Sequence, residues 1–251
     1  QKDNKAGVDI VGRHIYYNRQ SSFDEANELR TYQVLTAACL LVRKNVFNEV
    51  GQFDENYWNG YEDVDLCFKI GEMGGKLVYQ PKSVLYHYES QSGPERFSKI
   101  NQNVELLQKK WAGKIKPDAI MDKNGNLSLC KNHQIQRYRP PKNIDATDTK
   151  SKKPRKPIVS IILLTYNALD YTKQCIDSIF RNTKIRFEII VVDNNSEYAT
   201  RKFLKRLANE RLNIKIVLNN ENKGFAAGNN QGIKKAQCEY FLLLNNNVLV
   251  S

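Results

Sequence analysis

The sequence predicts an α/β protein built on a mostly parallel sheet, and three observations predict it. Residues 157–251 alternate strand-length apolar runs with segments of helical spacing, the pattern of right-handed βαβ units. The runs are continuously apolar rather than alternating, which is expected of strands covered on both faces. Each run ends in small polar residues, so the turns that could hold a ligand gather at one edge of the sheet.

In chain order, residues 34–42 read as an apolar strand and 43–50 as a short helix that Gly51 stops. Residues 62–73 carry Val64, Leu66, Cys67, Phe68 and Ile70 at roughly helical spacing, and Gly74 and Gly75 end that helix. Short strands follow at 77–79 and 84–86, then a long helix at 96–111. This first region is α+β rather than a βαβ series. The second opens at Pro157 with a strand at 158–164. Residues 170–182 place Tyr171, Cys175, Ile176 and Ile179 on one helical face. Strands at 187–192, 214–218 and 240–244 alternate with helices at 199–211 and 226–236.

Residues 114–156, rich in Lys, Asn, Asp and Pro, read as a polar linker with a short hairpin around Asn124 and Gly125. The chain of 251 residues has room for one or two domains. The formal charge is +12, and Lys150, Lys152, Lys153, Arg155 and Lys156 cluster in the linker. That run is either a solvated tether or a contact for an anionic membrane surface. No helix-turn-helix, RRM or zinc-finger pattern supports a nucleic-acid partner. The five cysteines are scattered with no C-x-x-C pair, against a zinc site or disulfide framework. No signal peptide or bilayer-length apolar run is present, so a cytoplasmic location is expected, at most peripheral to the inner membrane face. The chain starts with Gln1 and stops at Ser251 directly after an apolar strand, so a piece of a longer polypeptide is expected.

The strand ends hold the candidate ligand residues. They are Thr165, Tyr166 and Asn167; Asp193 and Asn195; Asn222, Lys223, Gly224, Phe225, Gly228 and Asn229; and Asn245, Asn246 and Asn247. Their side chains suit a base, a ribose or a phosphate, and the glycines allow close backbone approach. Asn, Asp and Gly also make good turns, but four such ends at one edge favour a nucleotide site. Asp193 can accept hydrogen bonds from a base or ribose. Trp58 and Tyr57 either stack on a sugar or pack their loop. Glu62, Asp63 and Asp65 open a helix, where carboxylates favour the dipole; Asp65 best fits that simple role.

The stretches "VSIILLTYNALDYTKQCIDSI", "FEIIVVDNNS", "NKGFAAGNNQGI" and "YFLLLNNNVLVS" resemble the first half of a glycosyltransferase family 2 domain with the GT-A fold. "TAACLLVRKNVFNEVGQFDENYWNGYEDVDLCFKIGEMGGKLVYQPKSVLYHYESQS" resembles the second half. The nearest subgroup is rhamnosyltransferase-like and polysaccharide-building. The resemblance implies inverting sugar transfer from a UDP- or dTDP-linked donor to a glycan or lipid-linked glycan, with a divalent metal, Mg²⁺ or Mn²⁺, on the diphosphate. It implies Asp63 as the base, Glu62 as an acceptor ligand, and His87 and Asn247 at the metal. Asn247 departs from the family's aspartate, which weakens the expected metal site.

The halves stand in reversed order: the acceptor-side half at 1–113, a linker at 114–156 and the nucleotide-side half at 157–251. Either the chain joins the end of one transferase domain to the start of the next, or it is circularly permuted. Half-domains expose edges and core, so pairing within or between chains is expected, giving a GT-A sheet that is incomplete or assembled from two pieces. A non-catalytic nucleotide- or glycan-binding module is the competing function.

Overall fold

The computed structural model describes residues 12, 14–16, 19–88, 98–121, 127–129 and 157–251. Elements run β1 (Arg30–Tyr32), β2 (Cys39–Arg43), α1 (Lys44–Glu49), α2 (Glu62–Glu72), β3 (Leu77–Tyr79), β4 (Leu85–His87) and α3 (Ile100–Trp111). Then come β5 (Ala119–Met121), β6 (Leu127–Leu129), β7 (Val159–Thr165), α4 (Leu169–Asn182), β8 (Phe187–Asp193), α5 (Tyr198–Glu210), β9 (Ile214–Leu218), α6 (Gly224–Lys235), β10 (Tyr240–Asn245) and β11 (Val248–Val250).

The central sheet has the order β2-β10-β7-β8-β9. Four strands are parallel; β2 joins the edge antiparallel, with Leu244 opposite Cys39 and Tyr240 opposite Arg43. The continuously apolar strands are covered on both faces. Ile161, Leu163, Ile189 and Val191 pack with Cys175, Ile176, Ile179 and Leu204 of α4 and α5. Ile162, Ile190, Val192 and Phe241 pack with Ile233 of α6 and with Phe47, Leu66 and Ile70 of α1 and α2. One layer of the core is thus contributed jointly by the two sequence regions.

Three contacts show how closely the regions join. β2 and β10 share a ladder. β11 pairs antiparallel with β4, placing Val248 opposite His87. An aromatic chain crosses the boundary, with ring centroids 5.1 Å apart for Phe47–Phe241, 5.4 Å for Phe47–Phe53 and 5.9 Å for Phe53–Phe225. Asn230 of α6 clamps the same seam. Its Oδ1 accepts Phe53 N at 3.2 Å, and its Nδ2 donates to Phe53 O at 3.0 Å and Glu55 Oε1 at 2.9 Å. Asn230→Ala strands a buried backbone N–H and C=O, so a loss of about 2–4 kcal/mol is expected in urea unfolding, read as a fall in midpoint.

Several sequence expectations shift. Residues 34–38 are irregular rather than strand, because Ala37 N is drawn off the ladder to a side chain of α2. The strand expected at 84–86 begins one residue later and takes in His87. β1 was not expected; it pairs with β3. β5 and β6 pair antiparallel around Asn124 and Gly125, and that turn, with Cys130 and the basic run 150–156, lies outside the described residues.

Candidate functional site

The carboxyl ends of β7, β8 and β10 and the start of β2 meet at one edge of the sheet, as the sequence implies. Thr165 is buried there; its Oγ1 lies 2.8 Å from Thr172 Oγ1 and accepts Asn246 Nδ2 at 3.2 Å. Asn246 also donates to Thr172 Oγ1 at 3.1 Å, so this asparagine ties β10 to α4. Asn167, at φ 53°, is tied to the turn after β8: its N donates to Ser196 Oγ at 2.9 Å, and its Oδ1 accepts Glu197 N at 2.6 Å. Tyr166 stands exposed beside them.

Five candidates have partners or neighbours within the protein. Asp193 is fully buried; both oxygens accept Ser196 N at 3.2 Å and Oδ2 faces Arg201 Nε at 3.6 Å, so the carboxylate closes its own turn. Asn195, at φ 68°, is exposed, and its Oδ1 accepts Arg201 Nη1 at 3.0 Å. Asn229 is buried and donates to Phe225 O at 2.9 Å. Gly228 is small for packing: a Cβ there meets Leu164 Cδ1 at 2.5 Å. Gly224, at φ 74°, is small because the Trp58 ring sits 3.0 Å from where its Cβ would be.

Asn222, Lys223 and Phe225 shape the start of α6. Asn222 Oδ1 accepts Gly224 N at 2.9 Å and Asn194 Nδ2 at 3.1 Å. Lys223 Nζ donates to Glu221 Oε1 at 2.9 Å. Phe225 N donates to Asn59 Oδ1 at 2.8 Å, a link from α6 to the loop before Glu62. That loop is tightly specified. Asn103, buried on α3, accepts Trp58 N at 3.1 Å and donates to Trp58 O at 2.8 Å and Gly60 O at 3.0 Å. Asn59 and Tyr61 are held at φ 50° and 70°, uncommon for residues with a Cβ. Tyr57 is buried in the cluster with Val64, Phe68, Leu107 and Trp111, so it packs the loop. Trp58 is packed against Gly224, with Lys99 Nζ 5.1 Å from its ring centroid.

The loop delivers the acidic pair to the first turn of α2. Glu62 is buried and accepts Gly60 N at 2.6 Å. Asp63 is half-buried; its Oδ2 accepts Ala37 N at 3.1 Å and its Oδ1 accepts Val64 N at 2.9 Å. Burial pushes the Asp63 carboxyl up from its ordinary range, against the lowering effect of those two N–H groups and of nearby His14. Ala38, next to Ala37, accepts Asn245 N at 3.0 Å. Asp63 is therefore two hydrogen bonds and one peptide unit from the Asn245–Asn247 turn. Asp65 is not the simple helix-dipole acid expected: it is fully buried and gathers Trp111, Lys110 and Lys69. Its inward position three residues after Glu62 is the signal for that role.

Asn247 and His87 do come together, through β4 and β11. Tyr88 N donates to Asn247 O at 2.9 Å, and Asn247 Nδ2 donates to Tyr88 O at 2.6 Å. An aspartate could not make the second bond. The amide is thus suited to the loop and leaves one neutral oxygen as a ligand. Among the described residues no three His, Cys, Asp or Glu side chains group to hold a metal. An amide oxygen with one imidazole is a weak set for Mg²⁺ or Mn²⁺. These residues do not fit a divalent metal by themselves.

Similarity to known proteins agrees with the motifs and the sheet. Residues 160–250 match the model of "Glycosyl transferase family 2". That match covers most of the second sequence region, the one that folds as the parallel, doubly covered sheet. An uncharacterized glycosyltransferase of Rickettsia bellii is 26% identical over 96% of this chain and 36% of its own length. That match runs through both halves and the region between them in the same order. The N-acetylglucosaminyl-diphospho-decaprenol L-rhamnosyltransferase of Mycobacterium tuberculosis is 43% identical over 23% of this chain and 19% of its own length. TarS of S. aureus, solved with UDP-GlcNAc, is 26% identical over 36% of this chain and 26% of the TarS chain, with a TM-score of 0.33. The chain spans about a third or less of these relatives. No helix among the described residues is long and apolar enough to cross a membrane.

Proposed function

We propose that this chain carries the machinery of an inverting glycosyltransferase of cell-surface polysaccharide synthesis, drawn from two consecutive transferase domains. The observation that carries the reading is Asp63: a carboxylate with a raised pKa, fixed by Ala37 and Val64 beside the Asn245–Asn247 turn. In this reading a nucleotide sugar lies at the strand ends, with Tyr166, Lys223 and Asn245 available to it. Asp63 takes the proton of an acceptor hydroxyl as its oxygen bonds to the anomeric carbon. The bond from that carbon to the diphosphate breaks, and the nucleoside diphosphate leaves with the electron pair. Glu62 orients the acceptor, a glycan or lipid-linked glycan. The tandem arrangement is supported by the collinear Rickettsia match, whose length leaves room for the complementary halves.

A second reading, a donor-binding module without transfer, is favoured by the Asn247–Tyr88 bond, which replaces a metal-binding carboxylate with a structural amide. The test incubates the chain, and the full-length parent, with labelled UDP- and dTDP-sugars and a lipid-linked glycan, with and without Mn²⁺. Transfer by the parent is expected. Donor binding with no transfer in either protein would establish the module instead.

A further inference from the structure

The sheet edge opposite the site carries a chemically different surface. Strands β7, β8 and β9 begin there, and each is entered past an exposed apolar residue: Ile158, Ile185 and Leu212, at 49%, 53% and 103% exposure. The ladder aligns them, because Ile158 N donates to Arg186 O at 2.9 Å and Ile189 N to Asn213 O at 2.8 Å. The three therefore follow the order of adjacent strands, which lie about 4.8 Å apart. Exposed Lys184, Arg186 and Arg211 flank them in sequence. The nearest carboxylate in sequence, Glu210, already faces Arg206 at 3.5 Å. Exposed Lys234 and Lys235 extend the positive edge at the end of α6, against the single exposed Glu239 beyond them. Helices α4, α5 and α6 end at this edge, and their dipoles account for some of the cations. They give no reason for Ile185 and Leu212 to stand in water.

We propose that this edge docks the chain on an anionic lipid surface. Ile158, Ile185 and Leu212 enter the headgroup boundary, and Lys184, Arg186 and Arg211 meet lipid phosphates. Charge complementarity selects the occupant: apolar side chains set singly among cations match a surface whose phosphates overlie an apolar layer. A nucleic acid would engage the cations and leave the apolar row in water. The inference rests on exposure and charge at this edge and does not depend on sugar transfer at the other.

The test co-sediments the 251-residue chain with vesicles of phosphatidylcholine alone, or of phosphatidylcholine with phosphatidylglycerol. Binding to the anionic vesicles, weakened by salt, and none to the neutral ones is expected. K184E with R186E should weaken partitioning by roughly thirty-fold or more, and I185S with L212S should weaken it separately. Both pairs lie on the surface, and circular dichroism with an unchanged Tm confirms the fold. Replacing the five basic residues of 150–156 by Ser should cost less than either pair. Binding that survives both pairs, disappears with the linker replacement alone, or is equal on neutral vesicles overturns the proposal. So does absence of vesicle binding with edge-dependent self-association in sedimentation velocity, which would make the occupant a second copy.

Discussion

Asp63→Asn is expected to lower kcat for sugar transfer by about 10²–10⁴-fold in the full-length parent, with donor affinity unchanged. The amide keeps the volume of the carboxylate and can still accept from Ala37 N or Val64 N, but it cannot take a proton. Because burial raises the Asp63 pKa, activity should fall with pH through a value above the ordinary carboxylate range. The stability sign runs the other way. A carboxyl whose folded pKa is raised contributes stability below its unfolded pKa, and that contribution is lost as pH rises through the folded value. At neutral pH the ionised group therefore costs stability. The variant should be inactive without a matching fall in Tm, offset only by the one backbone hydrogen bond it gives up. Coupled loss of activity and Tm would instead make Asp63 a structural cap of α2. The measurements are initial rates against pH and thermal unfolding of both proteins.

The strands and helices of residues 157–251 are readable in sequence because they are local. Runs such as 159–165 and 187–193 alternate faces of one sheet, and each face finds helices close by in the chain. The site is less readable, since the same residue types serve turns and ligands. Asp193 looks like a ligand at a strand end, yet the neighbouring backbone of Ser196 takes both its oxygens. Gly228 looks like a glycine that lets backbone approach a ligand, but Leu164, from a strand some sixty residues earlier, already requires its small size. Asp63 and Asp65 share a helical turn and differ only in the side they present: Asp63 toward Ala37, Asp65 toward α3. Three-residue strands such as β4 and β11 have no periodicity to detect, and only their pairing places His87 near Asn247.

The joined core gives the reversed order a physical consequence. β2 covers an edge of β10, and Phe47 and Phe53 cover apolar side chains of β10 and α6. Either half alone would expose that seam together with an open strand edge. The halves therefore select each other, and in a tandem protein the same seam would be offered between successive domains. Asn230 and Asn59 add directional bonds to this apolar surface. Directional bonds fix the register of Phe53 and Phe225 where hydrophobic contact alone would leave it loose.

Asp65→Ala is expected to destabilise the chain by about 3–5 kcal/mol, more than Asn230→Ala. Its fully buried Oδ1 accepts Trp111 Nε1 at 2.9 Å and lies 2.5 Å from Lys110 Nζ; Tyr57 OH is 3.5 Å away. Its Oδ2 faces Lys69 Nζ at 3.2 Å as an ion pair, without hydrogen-bond geometry. Lys110 also holds Asp54 at 2.9 Å. Burial tends to lower the Lys110 pKa, but the two carboxylates outweigh it and raise it. That contribution to stability is present below the unfolded lysine value and is lost as pH rises through the folded one. Removing Asp65 leaves the Trp111 N–H buried without an acceptor and two lysines short of a partner. Both lysines reach partly into solvent, which sets the lower end of the range. Asp65→Asn keeps an acceptor for Trp111 and should cost less. A double-mutant cycle with Lys110→Met in urea unfolding separates the ion pair from the indole bond. A coupling energy near zero would show that solvent already screens Lys110, and that Trp111 and Lys69 account for the cost of removing Asp65.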